Sequence, residues 1–173
     1  MPSTAKPRIT SHRSPDAKHH ADALTFSRRR GLDDFLRQMH EATPMQTLET
    51  ERKGVSAAIL TELAKRMVLP TAYLAMTLGI SKATAHRKIA AGELVDGRRI
   101  VGLVKLLALA QQIVDESTAS EAENFDTVKW LGQWIVRPQS ALGGYKPAEL
   151  LDSTTGVSMV AKVLGSIRSG AYQ

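Results

Sequence analysis

The sequence predicts an all-α fold. Three observations carry that expectation: apolar residues recur at spacings of three and four, no stretch alternates convincingly at period two, and Pro and Gly punctuate the chain at helix-length intervals. At 173 residues, 43% of them hydrophobic, the chain is long enough for one domain or two small ones sharing a core. No apolar run approaches the ~20 residues a membrane span needs. The N-terminus is basic but has no apolar segment behind it, so a secretory signal is not expected and a cytoplasmic location is. The absence of Cys removes disulfide frameworks and thiolate metal sites.

Residues 1 to about 28 contain Pro2, Pro7 and Pro15, many Ser and Thr, and few large apolar side chains. Burial there cannot offset the entropy of ordering, so a disordered basic tail is expected over residues 1–30. His19 and His20 are adjacent and therefore project apart, with no third ligand near, so no metal site is expected. From Gly31 the pattern turns helical: Leu32, Phe35, Leu36 and Met39 share a face until Pro44. Residues 45–54 are ambiguous, and 31–54 are taken together as an N-terminal helical segment. Gly54 and Ser56 read as a stop followed by an N-cap, after which Ala57, Ile59, Leu60, Leu63, Ala64 and Met67 form an apolar face up to Pro70.

A short helix near 71–78, a turn at Gly79 and a helix from Ser81 to about Ala91 come next. Within 97–115, Ile100, Leu103, Val104, Leu107, Ala110 and Val114 mark a longer helix. The polar stretch ESTASEAEN (116–124) reads as a linker or exposed turn. Phe125, Val128, Leu131, Trp134 and Ile135 mark a helix that stops at Pro138, and Val157, Val160, Leu164 and Ile167 mark a terminal one. No internal repeat is present.

Charge alternates in sign along the chain. Residues 1–30 carry seven Lys/Arg against two Asp, and residues 71–105 carry six against two, whereas 31–70 and 106–173 are slightly acidic. The two basic zones suit phosphates; the last third does not.

The second basic zone holds PTAYLAMTLGISKATAHRKIAAGE (70–93), which has the physical marks of a helix-turn-helix. Ala75 permits close helix approach, Gly79 can take the positive φ that ends the first helix, Ile80 fills the corner, and Ser81 can cap the second helix. Leu74, Leu78, Ala85 and Ile89 then face inward. Ser81, Lys82, Thr84, His86 and Arg87 fall on the outer or leading face, the one that enters a major groove in this motif. The Lys and Arg would meet phosphates or guanine edges, and Arg98 and Arg99 are further candidate phosphate contacts. Lys88 occupies a position usually apolar, so the register could slip by one, with Ile89 inward instead. A single unit binds DNA weakly, so a homodimer reading paired half-sites is expected.

The last third contains a compact corner, ALGGYKPAELL (141–151). Pro138 ends one helix, Gly143 and Gly144 make a tight turn, Pro147 suits a first helical turn, and Asp152 or Ser153 is placed to cap the terminal helix. So little helix needs a surface to pack on.

The succession of Trp, Arg-Pro, ALGG, Pro, LL and a terminal helix ending in Gly-x-Tyr resembles the toxin-binding domain of the Xre/MbcA/ParS family of antitoxins, those paired with RES-domain toxins. The likeness covers roughly residues 55–173 and departs at Lys146, where the family commonly carries Thr before the proline. It implies an Xre-like helix-turn-helix domain over 55–116 that binds operator DNA and represses its own operon. It also implies a C-terminal toxin-binding domain over 117–173 that blocks the active site of an NAD-degrading RES toxin, making the pair a type II system. Trp130, Arg137, Leu142, Gly143, Gly144, Tyr145, Pro147, Leu150, Leu151, Tyr172 and Gln173 are the candidate toxin contacts, with Tyr145 and Tyr172 foremost. Trp130, Leu150 and Leu151 are also candidates for internal packing. The terminal carboxylate of Gln173 is a candidate to reach a pocket shaped for dinucleotide phosphates.

No enzymatic role and no cofactor are expected. His12, His19, His20 and His40 lie in or near the tail, His86 belongs to the helix-turn-helix, and no glycine-rich loop has phosphate-binding spacing. The rival reading is a stand-alone helix-turn-helix repressor whose last third only dimerises.

Overall fold

Phe26 sets the first departure from these expectations. In the computed structural model, which describes residues 21–117 and 125–168, Phe26 is buried and meets Phe35 edge-on, with ring centroids 5.9 Å apart. The Leu24 amide donates to Thr50 Oγ1 at 2.9 Å. Residues 21–30 therefore pack on the body of the protein, because one aromatic anchor and one satisfied amide suffice to hold an extended strip of chain. The expected tail boundary at residue 30 is too late; His12, His19 and His20 lie outside the described residues.

Helix α1 (Gly31–Glu41) buries Leu32, Phe35 and Met39 and carries Asp33 and Asp34 in its first turn, where acidic groups suit the helix dipole. Helix α2 (Pro44–Lys53) resolves the ambiguous stretch. Thr43 caps it reciprocally with Gln46, Pro44 occupies the first turn, and Gly54 ends it. Its apolar pattern was faint because Thr50 is its one buried residue. Val55–Ser56 (β1) then pairs antiparallel with Leu94–Val95 (β2), so Ser56 sits in a ladder rather than capping the following helix. Two-residue strands leave no periodicity to read. Helix α3 (Ala58–Met67) is capped by no side chain and buries Ile59, Leu60, Leu63, Ala64 and Met67.

Helices α4 (Thr71–Thr77) and α5 (Lys82–Ala91) follow, then α6 (Gly97–Asp115), α7 (Thr127–Ile135), two 3-10 turns at Ser140–Leu142 and Pro147–Leu150, and α8 (Thr154–Arg168). Helix α6 is the spine. Ile100, Val101, Leu103 and Leu106 are fully buried on it, and it packs most extensively against α8 and α2, then against α7 and α1. Each such side chain contributes about 1.5–3 kcal/mol of transfer free energy. Helix α3 bridges α4 and α7, so a single hydrophobic core runs from Phe26 to Leu164. No helix of the described residues is long and apolar enough to cross a membrane.

Candidate DNA-reading and partner-binding surfaces

The corner between α4 and α5 is built from local cues. Gly79 has φ +67°, a conformation that costs other residues dearly, and the Ile80 amide donates back to Ala75 O at 2.8 Å. Ala75 is fully buried, and Ile80 closes the corner at 8% exposure. Ser81 Oγ accepts from the Thr84 amide at 3.2 Å and pairs with Thr84 Oγ1 at 2.9 Å, capping α5. Ala85 is buried and Ile89 packs against the core, which fixes the register of α5. Lys88 does not shift it: its stem is half-buried and its ammonium donates to Leu94 O at 2.6 Å, where β2 begins.

With that register, Ser81, Lys82, His86 and Arg87 are exposed and Thr84 is half-buried. Lys82 and His86 have no ion-pair or hydrogen-bond partner among the described residues. Arg87 Nη1 pairs with Glu93 Oε1. Arg98 is exposed and pairs with Asp96, whose carboxylate also caps α6 by accepting from the Arg98 amide at 3.0 Å. Partial burial pushes the Asp96 carboxyl up. Hydrogen bonds from Arg98, with the positive charges of Arg98 and Arg99, outweigh this and hold it below its ordinary value. The guanidinium of Arg99, the other expected phosphate contact, donates to the Leu78 carbonyl. Arg52 and Lys53 end α2 and share a cleft with Leu94 and Arg98.

At the other end, Asp126 caps α7 through the Lys129 amide, and Trp130 and Trp134 stack one turn apart at 6.0 Å. Phe125 lies 6.0 Å from Trp130, extending the pair to three rings; Phe125 and Trp134 were not among the expected contacts. Beyond Pro138 the Gln139 amide donates to Tyr145 O and the Gly144 amide to Gln139 O, closing a loop over Gly143 (φ +66°) and Gly144 (φ +85°). Both glycines face open space, so their task is backbone conformation.

That corner separates the expected contacts. Leu142, Pro147 and Leu151 are buried beneath it, Leu151 as its internal-packing alternative has it; 3-10 turns have no clean period from which to read an inward face. Trp130 and Leu150 are half-buried against the core. Tyr145 stands out at 61% exposure, and Arg137 is exposed on the same corner. Lys146, lacking a hydroxyl to cap with, is served from the other side, since its amide donates to the Glu149 carboxylate at 2.9 Å. Ser153 caps α8 by accepting from the Gly156 amide at 3.1 Å. Tyr172 and Gln173 lie outside the described residues.

A cleft of about 940 Å3 between α1, α3, α6 and α7 has an apolar floor of Leu36, Val104, Leu107 and Val128. Among the described residues no cluster of His, Asp or Glu has metal-binding geometry.

Residues 46–96 match the family described as the antitoxin Xre-like helix-turn-helix domain. Residues 122–170 match the antitoxin Xre/MbcA/ParS C-terminal toxin-binding domain. A curated relative, the Prs ADP-ribosylating antitoxin of Sphingobium sp. (strain YBL2), is 31% identical over 137 residues, which span 78% of this chain and 85% of that protein.

Proposed function

Because the chain belongs to the Xre/MbcA/ParS family of antitoxins, we propose that it neutralises a RES-domain toxin that consumes NAD, by covering that enzyme's active site. In the same reading it represses its own operon as a cytoplasmic homodimer through α4 and α5. The observation that carries the toxin half is the contrast within the 139–151 corner. Leu142, Pro147 and Leu151 anchor it in the core, while Tyr145 projects from a loop that two left-handed glycines hold in shape. A rigid aromatic on an anchored loop binds with little entropy to lose, which is how a few residues come to dominate an interface.

The relative's name attaches ADP-ribosylation to its own system. ADP-ribosyl transfer and NAD hydrolysis both break the bond between nicotinamide and ribose, so loss of NAD is the readout common to both. The test is inhibition of NAD consumption by the toxin encoded beside this chain. Tyr145→Ala is expected to weaken inhibition by at least tenfold, equivalent to about 1.4 kcal/mol. Deleting Ala171–Gln173 is expected to weaken it as well. Full inhibition by both variants would refute the proposed surface, and a clean homodimer that leaves the toxin active would favour the stand-alone repressor.

The DNA half is carried by the exposed Lys82, without an ion-pair partner among the described residues, at the capped start of α5 beside the exposed Arg87. Titration of the duplex upstream of the gene over a salt series tests it, because a protein that neutralises phosphates loses log affinity linearly with log salt.

A further inference from the structure

Arg99 lies in the first turn of α6, and its guanidinium donates to the carbonyl of Leu78. That carbonyl follows the last turn of α4, and no backbone amide satisfies it among the described residues. Arg99 Nε also lies 3.7 Å from Asp96 Oδ2, so one planar group spans the turn of the helix-turn-helix and the cap of α6. Gly79 presses on the same group. A Cβ added there would overlap the Arg99 guanidinium and come within 3.2 Å of Asp152 Cβ. Asp152 belongs to the corner that leads into α8, and the Pro147–Leu150 turn packs on α4. The turn of the helix-turn-helix and the first turn of the spine helix therefore meet at one cation, and Asp152 lines the same cleft.

We infer that Arg99 is a positioning residue for DNA recognition. It sets the angle at which α5 is presented by tying the Leu78 carbonyl to the cap of α6, and it does not itself neutralise a phosphate. This rests on the proposed DNA-binding reading. A charge-assisted hydrogen bond from a rigid planar donor holds direction as well as distance, and it adds to the packing of Ala85 and Ile89 and the Lys88–Leu94 hydrogen bond that hold α5. Lys at this position replaces the planar fork with a compact ammonium on a flexible stem, so it keeps the charge but not the fixed direction toward Leu78 and Asp96.

The test uses the full chain and the duplex upstream of its gene, with affinities referred to the folded, active fraction at each salt concentration. Arg99→Gln is expected to lower affinity about tenfold while leaving the slope of log affinity against log salt unchanged. Gly79→Ala, which displaces the same guanidinium, is expected to do likewise, and Arg99→Lys to recover part of the loss. Arg98→Gln is the comparator, expected to reduce the slope by about 0.9, the value for one phosphate contact. A slope reduced by Arg99→Gln would make Arg99 a phosphate contact and overturn the inference. Unchanged affinity in both Arg99→Gln and Gly79→Ala would reduce the contact to simple packing and also overturn it. Failure of the unaltered protein to bind the duplex would remove the DNA-binding reading, and this inference with it.

Discussion

Arg87 Nη1 lies 2.7 Å from Glu93 Oε1, so a carboxylate just past the end of α5 holds the guanidinium that its outer face offers. The same carboxylate lies 3.5 Å from Lys88 Nζ. Arg87 and Glu93 are both well exposed, and such a pair contributes at most about 1 kcal/mol. A phosphate can therefore take Arg87 over at small cost. Glu93→Gln removes the competitor and one repulsive charge, and is expected to tighten DNA binding roughly two- to fivefold with little change in thermal stability. Fluorescence anisotropy checks this, and weaker binding by the variant would refute it.

Two glycines of α8 give opposite expectations. A Cβ at Gly156 would overlap the carbonyl of Leu150, whereas one at Gly165 meets nothing. Gly156→Ala forces backbone apart at the base of the 139–151 corner and is expected to cost about 1–3 kcal/mol. Gly165→Ala is expected to add up to about 1 kcal/mol through helix propensity. Urea denaturation of both variants distinguishes them, and equal midpoints would contradict the packing described here.

Asp96 gives a pH dependence whose sign is fixed. Its folded-state pKa is depressed, so the native protein favours the ionised form. The stabilisation is fully present above the ordinary aspartate value of about 3.8 and is lost as pH falls through the lower folded value. Asp96→Ala removes both cap and charge, and is expected to cost about 1 kcal/mol between pH 5 and 7. The difference between the two proteins should narrow below about pH 4, where the carboxylate of the unfolded chain takes up its proton before that of the native protein does. Denaturation midpoints measured from pH 3 to 7 would show it, and a gap that widens in acid would reverse the assignment.

Phe26→Ala is expected to destabilise by about 3 kcal/mol, because it empties the site against Phe35. For a chain of this size that lowers the melting temperature by roughly 6–12 °C. A melting temperature within 1–2 °C of the unaltered protein, roughly 0.5 kcal/mol or less, would show that residues 21–30 carry no weight in folding.

The parts legible in the sequence were those written locally. Gly79, Ser81 and Pro138 act on their immediate neighbours, and the three-four spacing of Ile100, Leu103 and Leu107 shows wherever α6 packs. The rest depended on contacts between distant residues. Phe26 is one aromatic in a polar stretch until Phe35 is beside it, and Ser56 reads as a cap until Leu94 pairs with it. The hydrogen bond from Arg99 to the Leu78 carbonyl, 21 residues away in sequence, leaves no trace in the local pattern. Leu142 and Leu151 sit in turns too short for any period, so inside and outside could not be told apart.

Helix α6 occupies the interval between the two matched families, 46–96 and 122–170, yet its side chains line the interior shared by both halves. Grafting the carboxyl-terminal portion onto another helix-turn-helix at either family boundary would pair one half of that interior with a stranger. Workable chimaeras need the spine and the residues facing it from both sides to travel as a set. Exchange of toxin specificity between relatives is constrained less by the surfaces that do the recognising than by the buried helix that joins them.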